Sequence, residues 1–159
     1  MRKLSADQVW QVIEKELFAV VGMVTAANEA RTVGIMYVVR DRKLYFLSDR
    51  DTWKVKHISA NDRVSVTIPI AKRIPVMPWV KIPQATITFQ GRARVLAAAE
   101  TSPELQRAIL GGKMDERELV EGSCVIEIGP VGEFVTYGIG VGLMDMREPE
   151  KARGRAPVQ

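Results

Sequence analysis

The chain has 159 residues, of which 47% are hydrophobic and 26% charged, a balance that suits one globular domain with a substantial core. A single cysteine, Cys124, and a single histidine, His57, exclude an internal disulfide, a multi-histidine metal cluster and an ordinary Cys/His zinc site. The net charge of +4 favours anionic contacts, but the basic residues are scattered and lack interleaved aromatics, which argues for a solvated basic surface and against nucleic acid.

Met1 to Ser5 is basic and runs into the polar Ala6-Asp7-Gln8, without an apolar stretch of signal-peptide or membrane-spanning length. A cytoplasmic protein with no membrane contact is the default expectation. Ser5 with Gln8 fits a capping box, and Val9, Val12, Ile13 and Leu17 then recur at helical spacing. Phe18 to Ala26 is β-branched and short, a first strand turning at Ala27-Asn28-Glu29-Ala30. Arg31 to Val39 and Lys43 to Ser48 predict two more strands, with Arg40-Asp41-Arg42 as an antiparallel hairpin turn.

Polar Asp49 to Thr52 leads into a short helix, Trp53 to Ala60, capped by Asp51 or Thr52. Arg63 to Ile68 alternates as a fourth strand. Pro69, Pro75, Pro78 and Pro83 make the following stretch a loop, and Ala85 to Leu96 a fifth strand. Ser102-Pro103-Glu104 opens a helix that ends near Leu110 at Gly111-Gly112, and Asp115 to Val120 adds a helical turn. Cys124 to Ile128 reads as a sixth strand, and Gly132 to Gly142 as a separate, glycine-rich one. From Arg147 onward the charge, Pro149, Gly154 and Pro157 suggest an extended arm. So many short strands with few helices are best accommodated by one closed or nearly closed antiparallel barrel, because closure removes exposed edges.

Leu47 to Lys54 is the segment richest in chemistry, since a strand end delivers Ser48, Thr52 and Lys54 to a helix start. Free N–H groups, hydroxyls and a cation are the parts of a phosphate site. Simple capping with a solvated Lys54 is the alternative.

The order Tyr45-Phe46-Leu47-Ser48, Thr52, Lys54-Val55-Lys56 and Asn61-Asp62-Arg63-Val64-Ser65 resembles the pyridoxamine 5'-phosphate oxidase family. Upstream, Arg31-Thr32-Val33-Gly34-Ile35-Met36 looks like its phosphate and flavin-ring strand. Downstream, Phe89 to Val95 and Pro130 with Glu133-Phe134 are similar to its later strands. The resemblance runs from Leu17 to Arg147 and implies a mainly β, Greek-key, FMN-binding split β-barrel over residues 1–146, with 147–159 as a tail. It also implies a homodimer with FMN between subunits and oxidoreductase activity on a small molecule. By the same resemblance Arg31, Ser48, Thr52, Trp53 and Lys54 hold the phosphate end, and the backbone of Val33, Gly34, Ile35 and Met36 lies along the ring.

Three departures bear on function. Trp53 stands where a second basic residue is usual. Gly142-Leu143-Met144-Asp145 replaces the family's Arg-Leu-His, and Met36 replaces its substrate lysine, which argues against pyridoxamine phosphate as substrate. A deazaflavin coenzyme on the same fold, or a flavin- or haem-holding sensor without turnover, are the rival readings. Outside the pattern, His57 reads as a surface residue, Cys124 as a small core residue, and Met77 and Trp79 as loop residues able to cover a ring or a partner.

Overall fold

The computed structural model describes residues 2–73, 76, 79–111 and 122–159. Strand β1 (Arg2–Lys3) precedes helix α1 (Ala6–Ile13), whose capping box is complete: Gln8 N–H donates to Ser5 Oγ, and Ser5 N–H to the Gln8 side chain. Val9, Trp10 and Ile13 form its buried face. Strands β2 (Phe18–Val24) and β3 (Ala30–Met36) then pair antiparallel.

The sequence predicts one strand from Arg31 to Val39. The chain instead breaks at buried Tyr37, after which β4 (Val38–Arg40) pairs with β5 (Lys43–Asp49) and not with β2. Tyr37 fixes the break by donating its backbone N–H to the Leu17 carbonyl and its hydroxyl to the Ile13 carbonyl, at 3.1 and 2.8 Å. Asp41 and Arg42 both have positive φ, the geometry of a two-residue hairpin turn, and the Arg42 guanidinium bonds the Asp7 carboxylate.

Helix α2 (Trp53–Ala60) drops Val55 and Ile58 into the core. Strand β6 (Arg63–Ile70) runs two residues beyond the expected end and includes Pro69. At Pro69, among the described residues, only β7 (Ala85–Ala97) is alongside, and an edge position tolerates the missing N–H. Helix α3 (Pro103–Leu110) has its cap at Ser102 and a left-handed Gly111 at its end, as expected. Gly112, the Asp115 to Val120 turn, Pro75, Met77 and Pro78 lie outside the described residues.

The two late strands of the sequence reading are one, β8 (Ser123–Tyr137), carried through Pro130 and Gly132 by a bulge. Opposite Thr88 stands Val135, but opposite Gln90 stands Val131, and Gly132 between them has φ +77°. Along β8 one edge pairs with β7; the other pairs first with β5 (Asp49 opposite Ser123 to Leu44 opposite Ile128) and then with β9 (Arg153–Pro157). The path β3, β2, β6, β7, β8, β5, β4 therefore ends on strands that Tyr37 joins covalently. This is a split β-barrel, mostly β with short helices, and antiparallel except for the β1/β9 pair.

Inside it Phe134 meets Trp10 and Phe89 edge to face at centroid distances of 5.5 and 5.4 Å. Outside, Leu105 of α3 forms a smaller cluster with Tyr45 and Val125. Buried Glu127 ties the strands there, accepting the Tyr45 hydroxyl at 2.9 Å and facing Lys43 and Arg94 at 3.3 and 3.6 Å. Burial and this bond push the Tyr45 hydroxyl up to about 12.

The C-terminal segment is not a loose arm. After a short helix α4 (Pro149–Ala152), β9 alternates exposed Arg153 and Arg155 with buried Gly154 and Ala156, and the Val158 carbonyl accepts the Trp10 indole N–H at 3.1 Å. Its inward side chains are small because the space is small: a Cβ on Gly154 would lie 2.6 Å from Thr136 Oγ1 and 3.3 Å from the Arg2 carbonyl oxygen. Gly154→Val should thus cost about 1–3 kcal/mol, lowering the melting temperature by roughly 2–12 °C. Gly129→Ala, at a position with no atom within 4 Å, should leave it unchanged. Equal melting curves for the two variants would mean the tail is not packed in solution.

Candidate functional site

Two facing elements carry the residues singled out in the sequence. At the end of β5, Ser48 is buried and its hydroxyl lies 3.0 Å from that of Thr52, which donates to the Asp49 carbonyl at 2.9 Å. Thr52 occupies the cap position of α2, yet its side chain makes no capping bond. The first intrahelical acceptor used is the Thr52 carbonyl, by Lys56 N–H at 3.2 Å. Among the described residues the N–H groups of Trp53, Lys54 and Val55 therefore have no acceptor, which leaves the positive end of the helix open to an anion.

Lys54 is half-buried in that first turn and has no ion-pair partner among the described residues. Arg50 is committed elsewhere, with Nε donating to the Ser123 carbonyl at 3.1 Å. Cys124 lies beneath the junction and donates its S–H to the Ser48 carbonyl at 3.4 Å. Burial raises its thiol above the ordinary value, against the opposing pull of the Arg50 and Lys54 charges. That makes Cys124 the inert core residue the sequence suggested.

Across from α2 lies β3, an end strand hydrogen-bonded among the described residues only to β2, which leaves alternate N–H and C=O groups along its outer edge free of them. Ile35 is buried and Val33 packs against the core, while Gly34 and Met36 face outward. Of these four, then, only the backbone and the outward positions are open to a ligand. The Phe18 ring lies across Gly34, where a Cβ would come within 2.8 Å of it. Arg31, 59% exposed, pairs loosely with Glu29 at 3.4 Å.

Arg31 and Thr32 share a cleft of about 570 Å³ with Trp53 and His57, so the structure brings β3 and α2 to one opening. The Trp53 and His57 rings are 5.8 Å apart. Ser48, Thr52 and Lys54 form the adjoining helix start and do not line that opening. His57, read as a surface residue, is half-buried there; only its spacing of four from Trp53 in a helix could have signalled this. Sequence reasoning also missed a second cleft, of about 540 Å³, that meets the first at Arg31 and Thr32 and continues over Gly22, Ser65, Gln90 and Arg63. A glycine inside an apolar strand is the one local signal it leaves.

No helix among the described residues is long and apolar enough to cross a membrane, and no cluster of three metal-ligating side chains occurs among them.

No curated protein matches the chain in sequence. Solved structures share the fold at low identity. General Stress Protein 26 of Bacillus anthracis is 16% identical, with a TM-score of 0.56 over 86% of this chain and 95% of that one. The haem storage protein HutZ of Vibrio cholerae is 11% identical, with a TM-score of 0.65 over 87% and 97%. An F420 reductase is 15% identical, with a TM-score of 0.56 over 78% and 93%. Residues 5–131 match the pyridoxamine 5'-phosphate oxidase family profile, most of the barrel with both walls of the site, and the chain belongs to that family.

Proposed function

We propose that this protein is an FMN-dependent oxidoreductase acting on a small substrate other than pyridoxamine phosphate, as a cytoplasmic homodimer with the cofactor at the subunit interface. The observation that carries the reading is the start of α2: three amides without acceptors beside two hydroxyls and Lys54. A phosphate monoester needs several donors and a cation at one point, and this turn offers both. The Ser48 and Thr52 protons serve internal acceptors at 3.0 and 2.9 Å, and hydroxyl rotation turns them toward a bound anion. Arg31 reaches the phosphate by leaving Glu29, an exposed pair worth about 1 kcal/mol or less.

The free edge of β3 along Val33 to Met36 suits the polar rim of a flat ring. When bound, the flavin supplies the hydride-accepting ring. The chain anchors the phosphate, aims edge amides at the ring and shields one side of the opening with Trp53. Exposed Phe18, Met36 and Val135 share the outer face of the sheet and support pairing of two copies there.

Purified protein should release FMN on denaturation, identified by absorption and mass; a deazaflavin or haem in its place would replace this reading. Lys54→Ala should weaken FMN binding roughly ten- to a hundredfold, the value of one charged hydrogen bond, in a flavin-fluorescence titration. Riboflavin, without the phosphate, should be nearly indifferent, whereas equal losses for both ligands would return Lys54 to the surface.

The family match stops at residue 131, short of the exposed Gly142 and Met144 that stand where substrate cations are expected. With FMN present, pyridoxamine phosphate should therefore show no useful oxidation in an oxygen-consumption assay. Robust turnover would mean that other side chains bind its phosphate.

A further inference from the structure

We propose that the cleft on the outer face of β2, β3, β6 and β7 binds a small organic carboxylate through Arg63 and Arg92. As a substrate site this rests on the flavin reading, because the cleft adjoins the cofactor opening at Arg31 and Thr32. As a carboxylate site it stands on its own residues.

The floor is a row of residues directly opposite one another in register, Thr32, Gly22, Ser65, Gln90 and Val131. Gly22 is central, and neither backbone nor packing requires a glycine there. A Cβ on it would meet Ser65 at 3.7 Å and Thr32 at 3.9 Å, ordinary contact distances. By contrast, neighbouring Gly91 is forced, since its Cβ would lie 2.7 Å from Ile128 Cγ2. A glycine that weakens a strand and is not needed by it marks space kept for something else.

Charge indicates what that is. Arg63 and Arg92 stand directly opposite across β6 and β7, and like charges in that position repel. Asp62 answers Arg92 at 2.7 Å, but Arg63 has no ion-pair partner among the described residues. An anion between the two guanidinium forks relieves the repulsion, and a carboxylate matches the fork geometry. The remaining wall, with Val24 and Ala30, is apolar, and about 540 Å³ suits a small molecule with an apolar body.

The test is a titration of the isotope-labelled full chain with sodium benzoate, benzyl alcohol and inorganic phosphate, followed by amide shifts, with and without FMN. Benzoate should shift Gly22, Ser65 and Gln90 and bind about tenfold more tightly than benzyl alcohol, which lacks the charge, or phosphate, which lacks the body. Arg63→Ala should weaken benzoate at least tenfold while FMN affinity stays unchanged. Gly22→Leu should abolish benzoate binding with melting temperature and FMN affinity preserved.

Benzoate no tighter than either control, or indifferent to Arg63→Ala, would overturn the proposal. So would a loss of FMN on Arg63→Ala as large as the loss of benzoate, which would assign the cleft to the cofactor. Benzoate binding as expected in a protein that takes no FMN would uphold the carboxylate site and remove the flavin reading instead.

Discussion

Strand β8 has fifteen residues, roughly 50 Å of chain, and two hydrogen-bonding edges to satisfy along all of it. One edge is met by β7; the other needs two partners, β5 for its first part and β9 for its last. The rest of the molecule follows from that division. β5 must leave β8 at Ser123, so its end, the Ser48–Thr52 turn and the start of α2 are delivered to one rim of the barrel. β9 must come from the C-terminus, which commits the final residues to the sheet and lets Val158 hold Trp10 over the core. Because the two halves of the sheet diverge from β8, the barrel is joined at Tyr37 by the chain itself and not by a hydrogen-bonded ladder.

The same geometry leaves β3 with a free edge, and that edge is one wall of the candidate site. A fully laddered barrel would have covered those amides with a neighbouring strand. The site thus lies where the sheet is incomplete, with backbone groups free on β3 and helix amides free on α2, and few charged side chains are required to attract an anion. The substitution of Trp53 for a basic residue is consistent with this, since the amides remain when one cation is gone.

What was legible in the sequence is what local rules decide. The capping box at Ser5, the cap at Ser102, the Asp41-Arg42 turn and the α2 junction all depend on residues a few positions apart, and each appears where expected. What was illegible depends on partners far along the chain. The break at Tyr37 comes from Leu17 and Ile13, and Pro69 is tolerated because β2 has already left β6. Gly132 reads as the start of a separate strand but is the pivot of a bulge that lets β8 change partners. The tail was misread because strands usually announce themselves by large inward side chains, and β9 has only Gly154 and Ala156 to present. For the site, the β5 end, its hydroxyls and the start of α2 were readable in order, whereas the second cleft, assembled across β2, β3, β6, β7 and β8, left only Gly22 as a trace.

The position of Cys124 gives the protein an internal clock. Its sulfur is buried and bonded to the Ser48 carbonyl, so a reagent in solution can reach it only when β5 and β8 separate. That same separation frees the end of β5 on which Ser48 sits. In a chain with a single thiol, the rate of its modification therefore counts openings of the β5 end one by one, in native conditions. Any ligand that occupies this end and holds β5 against β8 slows the count in proportion to its occupancy, which makes the thiol a readout of binding even for a ligand with no colour of its own.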